Sequence, residues 1–164
     1  MLMHAIAALA VVAGAAEPVA LFNGRDLSGW YTWLRDIGRD KDPNGVFTVA
    51  DGMIRISGED WGGITTNEEY ENYTLVVEFK WGEKTWGNRE FAARDSGVLI
   101  HSQGEDGGYS GVWMHSLEIQ MIEGGTGDLL VVGDNSEAFS MTCTVREDAP
   151  NVYRTDWRKF LQAR

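Results

Sequence analysis

Tyr73-Thr74-Leu75-Val76-Val77-Glu78-Phe79-Lys80-Trp81 is the stretch that decides the fold class. Leu75, Val77, Phe79 and Trp81 point one way; Thr74, Val76, Glu78 and Lys80 point the other. That period of two marks a strand with one face on a core and one toward water. Upstream, residues 46–49 and 53–57 are two β-prone runs around Asp51-Gly52, a strong hairpin signal because both turn positions need a positive φ. Downstream, residues 96–102, 113–122, 129–132 and 139–145 read as further strands. Helical periodicity is confined to a turn or two at residues 68–70 and 157–162. Short strands punctuated by 20 glycines predict an all-β sandwich or barrel.

Composition narrows the function. The chain has 164 residues with 14 Lys+Arg against 25 Asp+Glu, a formal net charge of −11, which suits one domain. So acidic a chain offers no basic stripe for nucleic acid and no polybasic patch for a membrane surface. A charged fraction of 24%, a hydrophobic fraction of 43% and seven Trp exclude a disordered tail. The single cysteine, Cys143, excludes an intramolecular disulfide framework and a Cys-rich zinc site. It sits in an alternating run with Phe139, Met141 and Val145 and reads as a small core residue.

Residues 1–16 carry no Asp, Glu, Lys or Arg, residues 5–13 are small and apolar, and Ala13-Gly14-Ala15 fits a signal-peptidase pattern. The run is shorter than the roughly 20 residues that span a bilayer. A secretory signal peptide over residues 1–15 is therefore expected, followed by one domain over residues 16–164, secreted or periplasmic. The n-region has only His4 and the chain amine, and the plain alternative is an N-terminal helix.

In the run 113–122, Ser116, Glu118 and Gln120 share a polar face opposite Leu117, Ile119 and Met121. In 96–102, His101 has the parity of Gly97 and Leu99. If the two strands are neighbours, His101, Glu118 and Gln120 share one floor, with Trp81, Trp86, Tyr109 and Trp113 in nearby loops as walls. A polar floor with aromatic walls suits a sugar; the plain alternative is a sheet face turned to solvent. Asp40 to Asp51 partly mimics a calcium-binding loop, but the strand pattern at 46–49 and Pro43 favour a simple turn. His101 and His115 are the only histidines beyond the leader, too few for a three-His zinc, and His115 has the parity of the apolar face. No cofactor is expected, and a divalent metal at His101 and Glu118 has no supporting ligand spacing.

The segment Leu21-Phe22-Asn23-Gly24-Arg25-Asp26-Leu27-Ser28-Gly29-Trp30 resembles the opening of the 3-keto-disaccharide hydrolase family. Similar blocks follow in order: Asn44-Gly45-Val46-Phe47-Thr48-Val49 with Asp51-Gly52, Gly63-Ile64-Thr65-Thr66 with Glu69-Tyr70, and residues 75–80. Then come Asp95-Ser96-Gly97-Val98-Leu99-Ile100-His101 and Glu118-Ile119-Gln120-Met121-Ile122-Glu123. The resemblance covers about residues 21–134. It implies a concanavalin-like jelly-roll β-sandwich, usually exported, acting on sugars oxidised at C3. Family members continue through further strands where this chain has a polar stretch to Arg164, so a C-terminally truncated sandwich is expected, with strand edges left unpaired.

The implied chemistry is cleavage of 3-keto-glycosides, including 3-keto-disaccharides. A C3 ketone acidifies the C2 hydrogen; a base removes it, the C1 substituent leaves by β-elimination, and water addition completes a net hydrolysis. Glu118 is the expected base, His101 a base, an acid or a metal ligand, and Arg94 the holder of the enolate oxygen. Gln120 is expected to hydrogen-bond a hydroxyl, with Glu123, Asp95, Trp86, Trp113 and Tyr109 completing the substrate surface. The partner is thus an oxidised disaccharide or glycoside. Two alternatives share these residues. Glu118-x-Gln120-x-x-Glu123 resembles the catalytic strand of laminarinase-type retaining glucanases, where two carboxylates lie about 5–5.5 Å apart; Gln120 stands where those have an acid. The other alternative is a non-catalytic carbohydrate-binding module on the same fold.

Overall fold

The computed structural model describes residues 3–12, 18–134, 136, 139–140, 144–146 and 149–154. Its strands are β1 (Met3–Val12), β2 (Val19–Ala20), β3 (Trp30–Leu34), β4 (Gly38–Arg39), β5 (Phe47–Ala50), β6 (Met53–Ile56) and β7 (Gly62–Thr66). They continue with β8 (Tyr73–Trp81), β9 (Gly97–Gln103), β10 (His115–Gln120), β11 (Leu129–Val132), β12 (Thr144–Arg146) and β13 (Ala149–Arg154). There is no α-helix among the described residues, only a one-turn 3-10 helix at Gly87–Arg89. The chain is all-β, as the period-two pattern requires, and its antiparallel sheets form a β-sandwich.

One sheet carries β8, β1, β6 and β5, with β2 against the far end of β1. A second runs β4-β3-β7 and a third β11-β10-β9, while β12 and β13 pair with each other. In β8 the odd positions Tyr73 to Trp81 are half-buried and the even ones exposed, the alternation read from the sequence. The β5–β6 hairpin closes through Asp51 (φ 54°) and Gly52 (φ 70°), with Ala50 opposite Met53. Both turn residues have positive φ, which fits the right-handed twist of the flanking strands.

The stretch expected to leave as a leader is a strand in the uncleaved chain: β1 lies between β8 and β6, facing β8 from Met3↔Trp81 to Val12↔Tyr73. A short uncharged apolar run serves equally as a leader core and as an interior strand. Residues 68–70, expected to hold a helical turn, are irregular: Asn67 N–H bonds the Gly29 carbonyl at 2.8 Å and the Thr66 hydroxyl bonds the Glu68 carbonyl at 2.9 Å. The strand expected over 113–122 is trimmed to β10, because Trp113 bridges back to Tyr109 through a 2.7 Å N–H···O bond. Of the described residues in the run expected over 139–145, Thr144 and Val145 lie in a strand and Phe139 and Ser140 do not; residues 141–143, Cys143 among them, and residues 157–162 fall outside the described residues.

The tightest core holds Leu34, Val46 and Phe47, packed by Leu27, Ile37, Ile56 and Ile64. Asp42 anchors it from the loop before β5. Its two carboxylate oxygens accept the N–H groups of Val46 (2.7 Å) and Phe47 (2.8 Å). Asp42 thus serves the backbone of its own turn, as a turn requires, while Asp40 Oδ1 accepts the Thr32 N–H of β3 at 3.2 Å.

Candidate active site

Facing strands of the three sheets enclose a cavity of about 1160 Å³, large enough for a disaccharide. The β9–β10 pair forms one wall. Glu118 lies opposite Leu99 and Gln120 opposite Gly97, so these side chains share the face of Ser116. Glu118, Gln120, His101, Asp95, Trp86 and Trp113 all line the cavity. Six of the nine residues singled out from the sequence are thereby brought to one hollow.

Glu118 is the most unusual group there. Its Oε1 occupies the space beside Gly97: a Cβ on that glycine would stand 2.0 Å away. The missing side chain makes the seat in which the carboxylate rests. Burial, and then the charge of Asp95, push the Glu118 carboxyl above the usual carboxylate range. Asp95 is ion-paired to Arg89, with Nη2 to Oδ2 at 3.0 Å. Arg89 is a cavity residue that sequence reasoning missed.

His101 reaches the same wall by an irregularity. Between His115↔Gln103 and Leu117↔Ile100 the register shifts, so β9 has one residue more than β10. His101 takes up the difference at φ 54° and is exposed. A bulge re-aims a side chain out of strict alternation, and histidine tolerates that conformation better than most residues. Gln120 is oriented by its neighbour: the Met121 N–H donates to Gln120 Oε1 at 2.9 Å. With its carbonyl taken, the Gln120 amide presents N–H groups as donors.

Aromatic rings also line the cavity. Trp113 meets Trp61 edge-on at 5.8 Å, and Trp86 donates its indole N–H to the Ser57 carbonyl at 2.9 Å with Lys84 Nζ 3.1 Å from its ring centroid. Trp33 and Trp61 also line the cavity and were missed from the sequence. Trp33 belongs to an aromatic run without alternation and Trp61 stands alone between acidic residues and glycines, so the sequence gives no sign of the face either takes.

Three expected site residues lie elsewhere. Arg94 and Glu123 line a separate hollow of about 370 Å³. Arg94 clamps Glu123 twice, by its backbone N–H to Oε2 at 2.8 Å and by Nη2 to Oε1, and Nη1 bonds the Gly82 carbonyl at 2.6 Å. Those bonds hold the Glu123 carboxyl down at about 2. The pair ties the loop after β8 to the loop after β10 and does not address the cavity. Tyr109 is off the cavity wall and packs toward His115, whose ring also lies 4.6 Å from Phe139. His115 is thus a half-buried packing residue, as its parity suggested.

No group of three or more His, Cys, Asp or Glu among the described residues is placed to hold a metal ion. In comparisons with known proteins, the family model described as 3-keto-alpha-glucoside-1,2-lyase-like domain matches residues 17–159. The comparison with curated proteins and that with solved structures gave no match.

Proposed function

Because the chain belongs to the 3-keto-alpha-glucoside-1,2-lyase-like (3-keto-disaccharide hydrolase) family, we propose that the cavity binds a glycoside oxidised at C3 and that Glu118 is the base that cleaves it. The observation that carries this reading is the seat of Glu118 over Gly97, half-buried beside Asp95 on the wall of a sugar-sized hollow. A carboxylate raised in this way is a better base at neutral pH than an exposed one.

Glu118 takes the C2 proton, and the electron pair moves to the C3 oxygen as an enolate. The Gln120 amide N–H donates to that oxygen; Arg94, held in its clamp, does not. The enolate collapses toward C2–C1, the C1–O bond breaks, and His101 supplies a proton to the leaving oxygen. Water adding at C1, with the proton returned to C2, turns the elimination into net hydrolysis. Trp86 and Trp113 hold the sugar's C–H faces. Export is part of the proposal: cleavage after Ala15 predicts a secreted or periplasmic protein beginning at Ala16, which N-terminal sequencing of the exported form tests.

The activity test incubates the protein with a 3-keto-disaccharide and with its unoxidised parent, following the enone absorbance and released sugar. Cleavage of the keto sugar alone, abolished in Glu118→Gln, supports the reading. Cleavage of the parent points instead to a glucanase, and binding of either sugar with no release points to a binding module.

A further inference from the structure

Arg89 ends the one-turn helix Gly87–Arg89 and folds back over its own loop. Its Nη2 donates to the Ala93 carbonyl at 2.7 Å and pairs with Asp95 Oδ2 at 3.0 Å. Its Nε is buried without a hydrogen-bond partner among the described residues. Leaving a buried donor unpaired is costly, so a purely structural loop would do better with a smaller residue. The guanidinium is instead held at the cavity wall, two-thirds covered, against an equally covered aspartate.

That aspartate is the charge that acts on Glu118. Asp95 also opens the segment that leads into β9: the Ser96 carbonyl accepts the Met121 N–H at 2.8 Å, and the next residue is Gly97, the seat of Glu118. Arg89 is thus ion-paired to Asp95, which stands two residues before Gly97, the seat of Glu118, and acts on Glu118 through its charge. The other ionisable groups on the elements packed against β10 are His101 at the bulge of β9 and Asp128 before β11; β11 itself, Leu129 to Val132, has none.

We propose that Arg89 is a positioning residue that fixes Asp95 beside Glu118 and screens one carboxylate from the other. The proposal rests on the reading of Glu118 as the base. Without Arg89, Asp95 presents its full negative charge to Glu118, and the Glu118 carboxyl becomes harder to ionise. With Asp95 neutralised, Arg89 has nothing left to screen. Arg89 thus acts through Asp95, and its effect depends on Asp95 being charged.

The test is a double-mutant cycle read on the Glu118 side chain. Wild type, Arg89→Gln, Asp95→Asn, the double variant and Arg89→Lys are titrated by carboxyl-carbon NMR, with the pH profile of kcat/KM measured alongside. Arg89→Gln should move the Glu118 titration to higher pH and lower kcat/KM on the acid limb by about threefold. Arg89→Lys should recover most of that loss. In the Asp95→Asn background the Arg89→Gln change should shift nothing. A titration unmoved or moved to lower pH by Arg89→Gln, or moved equally in the Asp95→Asn background, overturns the proposal even if the melting temperature falls. A 3-keto sugar left uncleaved by wild type would count against the base assignment alone, since the titration measures the Arg89–Asp95–Glu118 coupling without turnover.

Discussion

Substituting Gly97→Ala tests the seat of Glu118 directly. The glycine has an ordinary backbone conformation, since it is not among the positive-φ residues, so alanine brings no backbone strain. In a strand, alanine is favoured over glycine by roughly 0.5–1 kcal/mol. The difficulty is local. The new Cβ would stand 2.0 Å from Glu118 Oε1, whereas ordinary contact begins at 3.4 Å, so the carboxylate must retreat by 3.4 − 2.0 = 1.4 Å. The methyl group also comes within 2.7 Å of Glu118 Cδ and Cγ, but all three atoms belong to one flexible side chain that can swing into the cavity, so the fold should hold and the melting temperature change by no more than about 4 °C. Catalysis should not hold: misplacing a reacting group by about 1 Å costs on the order of 100-fold. Steady-state kinetics on a 3-keto-disaccharide should therefore show kcat/KM reduced by about 100-fold. The acid limb of the pH profile should move down as the carboxyl is pushed toward water. Wild-type kcat/KM in Gly97→Ala would refute the argument, because no base seated over that glycine could survive the added methyl in place.

Glu118→Gln should abolish turnover and raise the melting temperature at pH 7. A carboxyl whose folded pKa lies above its unfolded value binds more protons when folded, so stability falls as pH rises through that interval. The amide's advantage should vanish below about pH 4, where both states are protonated; a melting temperature lowered at pH 7 contradicts the burial argument. Glu123→Gln should leave the chemistry nearly intact and destabilise the fold near neutrality. The folded Glu123 carboxyl is held at about 2, so its contribution is present above about pH 4.5 and is lost as pH falls toward 2. Thermal melts should show wild type and variant converging in acid, and loss of turnover comparable to Glu118→Gln would place Glu123 in the chemistry after all. Trp113→Ala removes a ring that meets Trp61 at 5.8 Å and should raise KM about tenfold with kcat within a few-fold, given about 0.5–1.5 kcal/mol for an aromatic pair plus lost stacking area. An unchanged KM removes Trp113 from the sugar surface.

The legible parts of this chain are those where one face is wet and the other dry. β8 and the β5–β6 hairpin announce themselves by alternation and by Asp51-Gly52. β3 does not, because Trp30-Tyr31-Thr32-Trp33-Leu34 is at least half-buried throughout, and a strand covered on both faces loses its period. β7 opens on Gly62-Gly63, which reads as a breaker; a Cβ on Gly62 would come within 2.1 Å of the Trp33 carbonyl, so the glycine is there for close approach of β3. At the site, parity along β10 suffices to put Glu118 and Gln120 on one wall. Parity cannot say which of Arg94 and Asp95 turns inward from an irregular loop. The choice made from the sequence, Arg94 as the enolate's partner, went to the residue the fold spends on Glu123. Arg89 is invisible for the same reason: only the turn at Gly87–Arg89 brings it back to Asp95.

Glu118 and Glu123 show how the fold separates two chemically equivalent groups. They lie five residues apart in a segment that resembles a two-carboxylate glycosidase strand. A double-displacement mechanism needs both on one substrate, about 5–5.5 Å apart, with one free to attack. Here Glu123 lines a different hollow and spends both oxygens on Arg94, whose charge and donors keep it ionised and immobile. Glu118 has the opposite surroundings: burial, a neighbouring negative charge and a seat with no side chain beneath it. A site with one elevated carboxylate and one locked away is poorly equipped to displace an acetal twice and well equipped to remove a single carbon-bound proton. On the proposed reading, a ketone at C3 of the substrate is what makes that proton acidic.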